Sequence, residues 1–489
     1  MIFRLTLQGL RLLTVRKSQT ICLLSLLVLI LSGCGGGGGS SPVVTPNPGG
    51  DNVVVVKDIR EQIAALPGVV NLQEQSTTIA GTRFFVFTLS QPVDHQASNG
   101  ERFEQKITLL YRSASAPTVL FTSGYAINDK PAQAELTDLL KANQLSMEHR
   151  FFRSSTPASR DWSKLDIWQS ANDQHRLTQS FKALLTGKWL NSGASKGGMT
   201  AVFHRRFFPE DVAATVAYVA PISFAESDPR YPQFEKQLGG AAQRAAIEQW
   251  QQAALDKREE LLKLFEQDAS KRGASFTFLG ADKTLEFAIL EAPFTLWQYG
   301  DANLAATVPA AGANAEQLYR FLDDASFGVV SNWSDATLTY YQAYYFQTAT
   351  QLGYPMVAYE YLRGLKYPGQ DKGDAYPPYG VTARYDGGLA MRDVQSWVDQ
   401  QASRIIFIYG ENDPWTAGAF HLTPAAQSRD NFKFIVSKGN HSASIRQLEL
   451  PQRQIIYERL ATWLGISLSP ASAPPEAIRR GREAPAGLN

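Results

Sequence analysis

Residues 117–123 read Pro-Thr-Val-Leu-Phe-Thr-Ser, an apolar run with no polar alternation, and this constrains the fold more than any other segment. A strand with one wet face alternates in polarity. A strand that stays apolar along its length is buried on both faces, as in a parallel sheet covered by helices. Further strand-like runs at 145–148, 188–192, 214–219, 404–410 and 432–437 are separated by helical patterns at 173–185 and 196–207, and a last helix is expected at 452–464. Strands alternating with helices predict a mostly parallel sheet with helices on both faces. A short helix at 58–66 precedes it. A hairpin of 83–89 and 105–111, joined by a polar turn containing Asn99-Gly100, opens the sheet.

The pattern changes between Ser223 and Met391. Ile247, Trp250, Ala254, Leu261 and Phe265 recur at helical spacing with charges between them. Helical, aromatic-rich segments follow at 285–299, 315–322 and 338–352. The expected organisation is therefore a core in two parts, 55–222 and 392–466, with a helical cap insertion at 223–391 lying over the sheet.

Gly193-Ala194-Ser195-Lys196-Gly197 stands between the strand at 188–192 and the helix that starts at Lys196. A serine on such a sharp strand-to-helix turn has its hydroxyl exposed and the next N–H turned toward an oxyanion, and small flanking residues let strand and helix pass closely. The pentapeptide alone also fits an ordinary glycine-rich loop. Its position singles out Ser195 as a nucleophile.

A serine of this kind needs a base and an orienting acid, in the chain order Ser, Asp, His for an α/β-hydrolase sheet. Of six histidines, His95, His149, His175 and His204 precede the late strands. His441 sits in a polar loop after the last strand, and Asp413 lies just past the strand at 404–410. Both fall at carboxyl ends of strands, where sites in open α/β sheets collect. Glu411 is the rival orienter and His421 the rival base. Two backbone N–H groups should hold the oxyanion: one from Lys196, the other from the loop after 117–123, at Gly124 or Tyr125.

Longer motifs surround these residues: Glu148-His149-Arg150-Phe151-Phe152, Ser155-Thr156-Pro157, Ile167-Trp168-Gln169-Ser170-Ala171-Asn172-Asp173, and Ser192 through Thr200. Together with 409–415 and 439–442 they resemble the secreted prolyl tri-/tetrapeptidyl aminopeptidases. These are serine peptidases related distantly to lysosomal Pro-X carboxypeptidase and dipeptidyl peptidase II. The resemblance runs from about Val70 to Gly465. It implies an α/β-hydrolase core with a helical lid, a triad of Ser195, Asp413 and His441, and release of short peptides from free N-termini, often after proline. An esterase with the same triad, and a peptide-binding surface protein that has lost turnover, are the competing readings.

An exopeptidase of this kind needs a carboxylate at a fixed distance from the nucleophile to pair with the substrate ammonium. Glu286 and Glu291 in the insertion are candidates. Glu148 either anchors a substrate or pairs with Arg150 or a neighbour. Trp415, with Trp297, Tyr299, Tyr344 and Tyr345, either lines a pocket for a proline ring or belongs to the core. The histidines are scattered, and no glycine-rich phosphate loop stands before a helix, so neither a metal nor a cofactor is expected.

The first 33 residues read as an export signal: Arg4, Arg11, Arg16 and Lys17 without an acidic residue, then an apolar run at 21–31 too short for a typical membrane span. Leu31-Ser32-Gly33-Cys34 resembles the bacterial lipobox, so Cys34 is the expected lipid attachment site and the protein is expected in the bacterial cell envelope, on the periplasmic side or at the outer membrane. A Gly/Ser/Pro tether covers 34–54, and a Pro/Ala-rich tail covers 467–489. Cys22 leaves with the signal and Cys34 carries lipid, which rules out a disulfide, a cysteine nucleophile or a cysteine-based zinc site in the mature domain. Losing the four basic signal residues takes the formal charge from +1 to −3, with no basic stripe for nucleic acid.

Overall fold

The computed structural model describes residues 57–468 except Ser98, Ala358 and Gln370. The chain divides after Lys57, and the sheet and its helices all belong to the unit that begins at Asp58. The expected signal (1–33), the tether (34–54), Cys34 and all but the first two residues of the expected tail lie outside the described residues.

Nine strands form one sheet: β1 (Val69–Gln75), β2 (Arg83–Pro92), β3 (Arg102–Tyr111), β4 (Thr118–Thr122), β5 (Asn143–Met147), β6 (Trp189–Ala194), β7 (Ala214–Tyr218), β8 (Ile405–Gly410) and β9 (Phe432–Val436). Their order is β1-β2-β3-β5-β4-β6-β7-β8-β9. The edge from β1 to β5 is antiparallel, and every pair from β5 to β9 is parallel. This is an α/β-hydrolase sheet.

Strand β1 is not among the elements the sequence predicts, and its geometry gives the reason. Asn71 has φ 55°, and the register with β2 shifts between Val70 and Gln73. A bulge of this kind breaks the period-two pattern that marks a strand.

Successive residues of the central strands feed opposite faces. Leu190, Val216, Ile406 and Ile408 pack with Leu136 and with Ile456 and Leu460 of the closing helix Leu450–Leu464. Ala217, Ile405 and Phe407 face Val202 and Phe203 of the helix Lys196–Phe207 and Met391, Val394 and Trp397 of the helix Leu389–Gln400. The helix over the antiparallel side, Ile167–Phe181, begins six residues before the expected start at 173, because Asp166 caps it by accepting the Gln169 N–H at 2.6 Å.

Between β7 and β8 the chain runs through a series of helices, among them Arg230–Glu235, Ala241–Asp256, Arg258–Arg272, Ala281–Tyr299, Ala315–Ala325 and Asp335–Gln347. They bury a core of their own, with Trp250, Leu261, Phe265, Leu285 and Phe287 inaccessible to solvent. Pro293 interrupts the hydrogen bonding of helix Ala281–Tyr299, since it has no N–H for the Ile289 carbonyl. That carbonyl instead accepts the buried Gln251 Nε2 at 2.9 Å.

Candidate active site

Strand β6 delivers Ser195 in a conformation a serine adopts only under constraint, φ 56° and ψ −128°, immediately before the helix Lys196–Phe207. The Ser195 N–H is tied to Tyr218 O at 2.9 Å and its carbonyl to the Met199 N–H at 3.0 Å. The flanking glycines are required by proximity. A Cβ on Gly193 would lie 2.4 Å from the Gly197 carbonyl carbon, and one on Gly197 would lie 2.1 Å from Thr122 O. Strand β4, the turn and the helix therefore cross with no room for a methyl group.

Asp413 follows β8 and His441 follows β9, so both share the carboxyl edge of the sheet with Ser195. His441 Nδ1 is 2.7 Å from Asp413 Oδ2, and Asp413 Oδ1 accepts the Trp415 N–H at 3.1 Å. A carboxylate can only accept, so the proton lies on Nδ1 and the lone pair on Nε2. That Nε2 is buried and, among the described residues, has no hydrogen-bond partner. The rivals are elsewhere. Glu411 is exposed and accepts the Lys438 N–H at 2.7 Å. His421 has a side chain 71% exposed, with Asp399 at 3.7 Å.

The helical insertion holds the histidine loop directly. His441 N–H donates to Gln298 O at 2.9 Å, and Asn440 Nδ2 donates to the carbonyls of Tyr299 and Gly300, each at 3.1 Å. The Tyr299 ring stands edge-on to the imidazole, at 6.0 Å between centroids. These contacts are made to backbone carbonyls, which leave no trace in the residue types.

Lys196 contributes more than the expected backbone donor. Its side chain is buried, its Nζ donates to Gly124 O at 2.5 Å, and it lies over the rings of Tyr125 and Phe152. Burial pushes its amine well below the ordinary lysine range. The second expected oxyanion donor needs correction in one respect. The Tyr125 N–H donates to Ser123 Oγ at 2.9 Å, so of the two residues named for this loop Tyr125 has its donor already occupied.

The candidate substrate carboxylates separate clearly. Glu148 is buried and accepts from Ser155 Oγ at 2.9 Å and from the Ile127 N–H at 3.2 Å; it does not pair with Arg150. Arg150 instead forms a two-pronged pair with Asp173, both bonds 2.7 Å, and His95 Nε2 lies 2.7 Å from the same carboxylate. Glu286 is sealed in the insertion, held by Arg258 and by the N–H groups of Lys366 and Tyr367 at 2.9 and 2.8 Å. It cannot reach a substrate. Glu291 is only half-buried and accepts the hydroxyls of Tyr376 at 2.5 Å and Tyr354 at 3.2 Å. Trp415 is half-buried between His441, Tyr231 and Phe294, whereas Trp297 belongs to the core of the insertion.

An α/β-hydrolase sheet that carries, at one edge, a serine on a strained strand–helix turn and a buried His–Asp pair defines a serine hydrolase. The chain belongs to the PS-10 peptidase S37 family, whose model matches residues 53–485, and it is a serine peptidase. It is 39% identical over 430 residues to the prolyl tri/tetrapeptidyl aminopeptidase of Streptomyces mobaraensis, covering 87% of this chain and 88% of that one. A protein of Arabidopsis thaliana described as probable serine protease EDA2 is 22% identical over 442 residues, covering 78% and 86% of the two chains. Among solved structures, that of VinJ gives a TM-score of 0.33 at 12% identity, covering 80% of this chain and 99% of that chain, and adds nothing to the assignment.

Proposed function

We propose that this peptidase releases tri- or tetrapeptides from free N-termini, with proline as the residue whose carbonyl is attacked. One observation carries the substrate class: the likeness to the Streptomyces mobaraensis aminopeptidase, which extends over nearly the whole of both chains. The chemistry follows from the site. His441 Nε2 takes the proton of Ser195 Oγ, which attacks the prolyl carbonyl carbon. The Lys196 N–H and the Gly124 N–H hold the oxyanion, while Asp413 keeps His441 in the tautomer that can accept. His441 then passes the proton to the leaving amine as the C–N bond breaks. Water, activated by the same histidine, hydrolyses the ester and frees the serine.

The test is a set of Xaa-Xaa-Pro-anilides run beside p-nitrophenyl esters and a fluorophosphonate probe. Anilide cleavage and probe labelling, both lost in Ser195→Ala, are expected. Ester cleavage without anilide cleavage makes the protein an esterase, and absence of labelling makes it a binding protein. We also infer that the protein is exported and anchored to the bacterial envelope by lipid on Cys34, a reading supported by the basic start, the short apolar run and Leu31-Ser32-Gly33-Cys34.

A further inference from the structure

A second glutamate, Glu235, lies near enough to Glu291 to feel its charge. Glu235 ends the short helix Arg230–Glu235, whose Tyr231 packs on Trp415 at 5.7 Å between ring centroids. Glu235 Oε2 accepts the Tyr359 hydroxyl at 2.7 Å, but Oε1 is sealed from solvent and accepts no hydrogen bond from the described residues. Among the described residues Glu235 forms no ion pair. Burial, reinforced by the charge of Glu291 and only partly offset by the Tyr359 hydroxyl, pushes its carboxyl up to about 8. At neutral pH Glu235 is therefore held mostly as the neutral acid, and a cation arriving between the two side chains lets it give up its proton and pair.

Glu291 connects to the reacting end of the site. A file of tyrosines leads from the turn at Ser195 toward it: Tyr125 under the Lys196 amine, then Tyr344 at 5.9 Å, Tyr345 at 5.5 Å and Tyr376 at 4.9 Å between successive rings, with the Tyr376 hydroxyl on Glu291. Tyr344 and Tyr345 are only half-buried, as are Glu235 and Glu291. Distance along the helix fixes the scale. Glu291 lies seven residues before Gln298, whose carbonyl holds His441, and at ~1.5 Å per residue that is about 10 Å. An extended peptide spans ~3.3–3.6 Å per residue, so about three residues fill the gap.

We propose that Glu235 and Glu291 together receive the α-ammonium group of the substrate, and that their distance from Ser195 limits the released fragment to three or four residues. The inference rests on the peptidase reading above and names the part of the site that measures the N-terminus. The ammonium supplies the donors that Glu235 Oε1 lacks, and the tyrosine hydroxyls hold both carboxylates toward it. A peptide blocked at its N-terminus brings no cation and leaves Glu235 as the neutral acid. A longer peptide cannot place its ammonium there while its prolyl carbonyl reaches Ser195.

The experiment compares Ala-Ala-Pro-p-nitroanilide with its N-acetylated form in the wild type, in Glu235→Gln and in Glu291→Gln, with the rate of fluorophosphonate labelling as the measure of an intact triad. The wild type should strongly prefer the free amine. Each variant should raise KM for the free peptide by about 30-fold while leaving kcat, labelling and acetyl-peptide cleavage within about threefold. Equal losses on both substrates, or an unchanged KM in both variants, overturn the proposal, as does a wild type indifferent to acetylation. In each of those cases the prolyl peptidase itself stands. A wild type that labels but cleaves neither peptide overturns the peptidase reading, and this proposal with it.

Discussion

His441 Nδ1 stands 2.7 Å from Asp413 Oδ2, with the two side chains 4% and 0% exposed. Replacing Asp413 by Asn would keep the shape but present an NH2 group to Nδ1, so the imidazole would carry its proton on the wrong nitrogen. Turnover of a prolyl anilide should fall by about 10⁴ with the melting temperature little changed. A loss smaller than tenfold would mean that another group orients His441.

The crossing at Gly197 leaves no space beside Thr122 O. Gly197→Ala should cost about 3 kcal/mol or more, beyond the usual penalty for one added methyl, because the obstacle is the backbone of Thr122 and Ser123 rather than a side chain that can turn aside. Gly312→Ala serves as the control, since a Cβ there meets nothing within 4 Å. Denaturant midpoints for the two variants should separate clearly; similar midpoints would show that the turn has room to give.

Asp173 is fully buried, and burial opposes its charge. The Arg150 guanidinium and His95 outweigh that opposition and hold its carboxyl below the ordinary value. Because the folded pKa is lowered, this stabilisation is complete above the unfolded value near ~3.9 and disappears as pH falls through the folded value. Asp173→Asn should therefore cost about 3–5 kcal/mol at pH 7 by leaving Arg150 unpaired, and the gap to the wild type should narrow below pH ~4. Urea titrations across pH 3–7 measure both quantities. A gap independent of pH would mean that Asp173 is not charged in the folded protein.

Cys34→Ala should move the protein from the membrane fraction to the soluble fraction and abolish incorporation of labelled palmitate, with peptidase activity per molecule unchanged. Continued membrane association of that variant would remove lipid as the anchor.

Much of the sheet is legible in the sequence because strands buried on both faces write themselves as apolar runs, as at 117–123 and 404–410. The Ser195, Asp413 and His441 positions can be read because each lies within five residues past the carboxyl end of a strand. Where the deciding contact is remote, the residue types carry no signal. Arg150 is two residues from Glu148 yet pairs with Asp173, which only the packing of helix Ile167–Phe181 against β3 and β5 brings near. Glu286 reads as available on an amphipathic helix but meets Arg258 and a distant loop. The helix Leu389–Gln400 escapes the sequence reading although Met391, Val394, Trp397 and Val398 mark one buried face. Glu235, on a helix of six residues, has no periodicity to mark it.

The hydrogen bond from His441 N–H to Gln298 O has a consequence for how the insertion can move. The helix bearing Gln298 cannot swing away as a free door, because doing so would unseat the histidine that performs the proton transfers. Any movement of that helix carries the histidine loop with it, so the proton-transfer group is in place only while the two stay joined. The same bond that steadies the base thereby ties the readiness of the triad to the seating of the insertion.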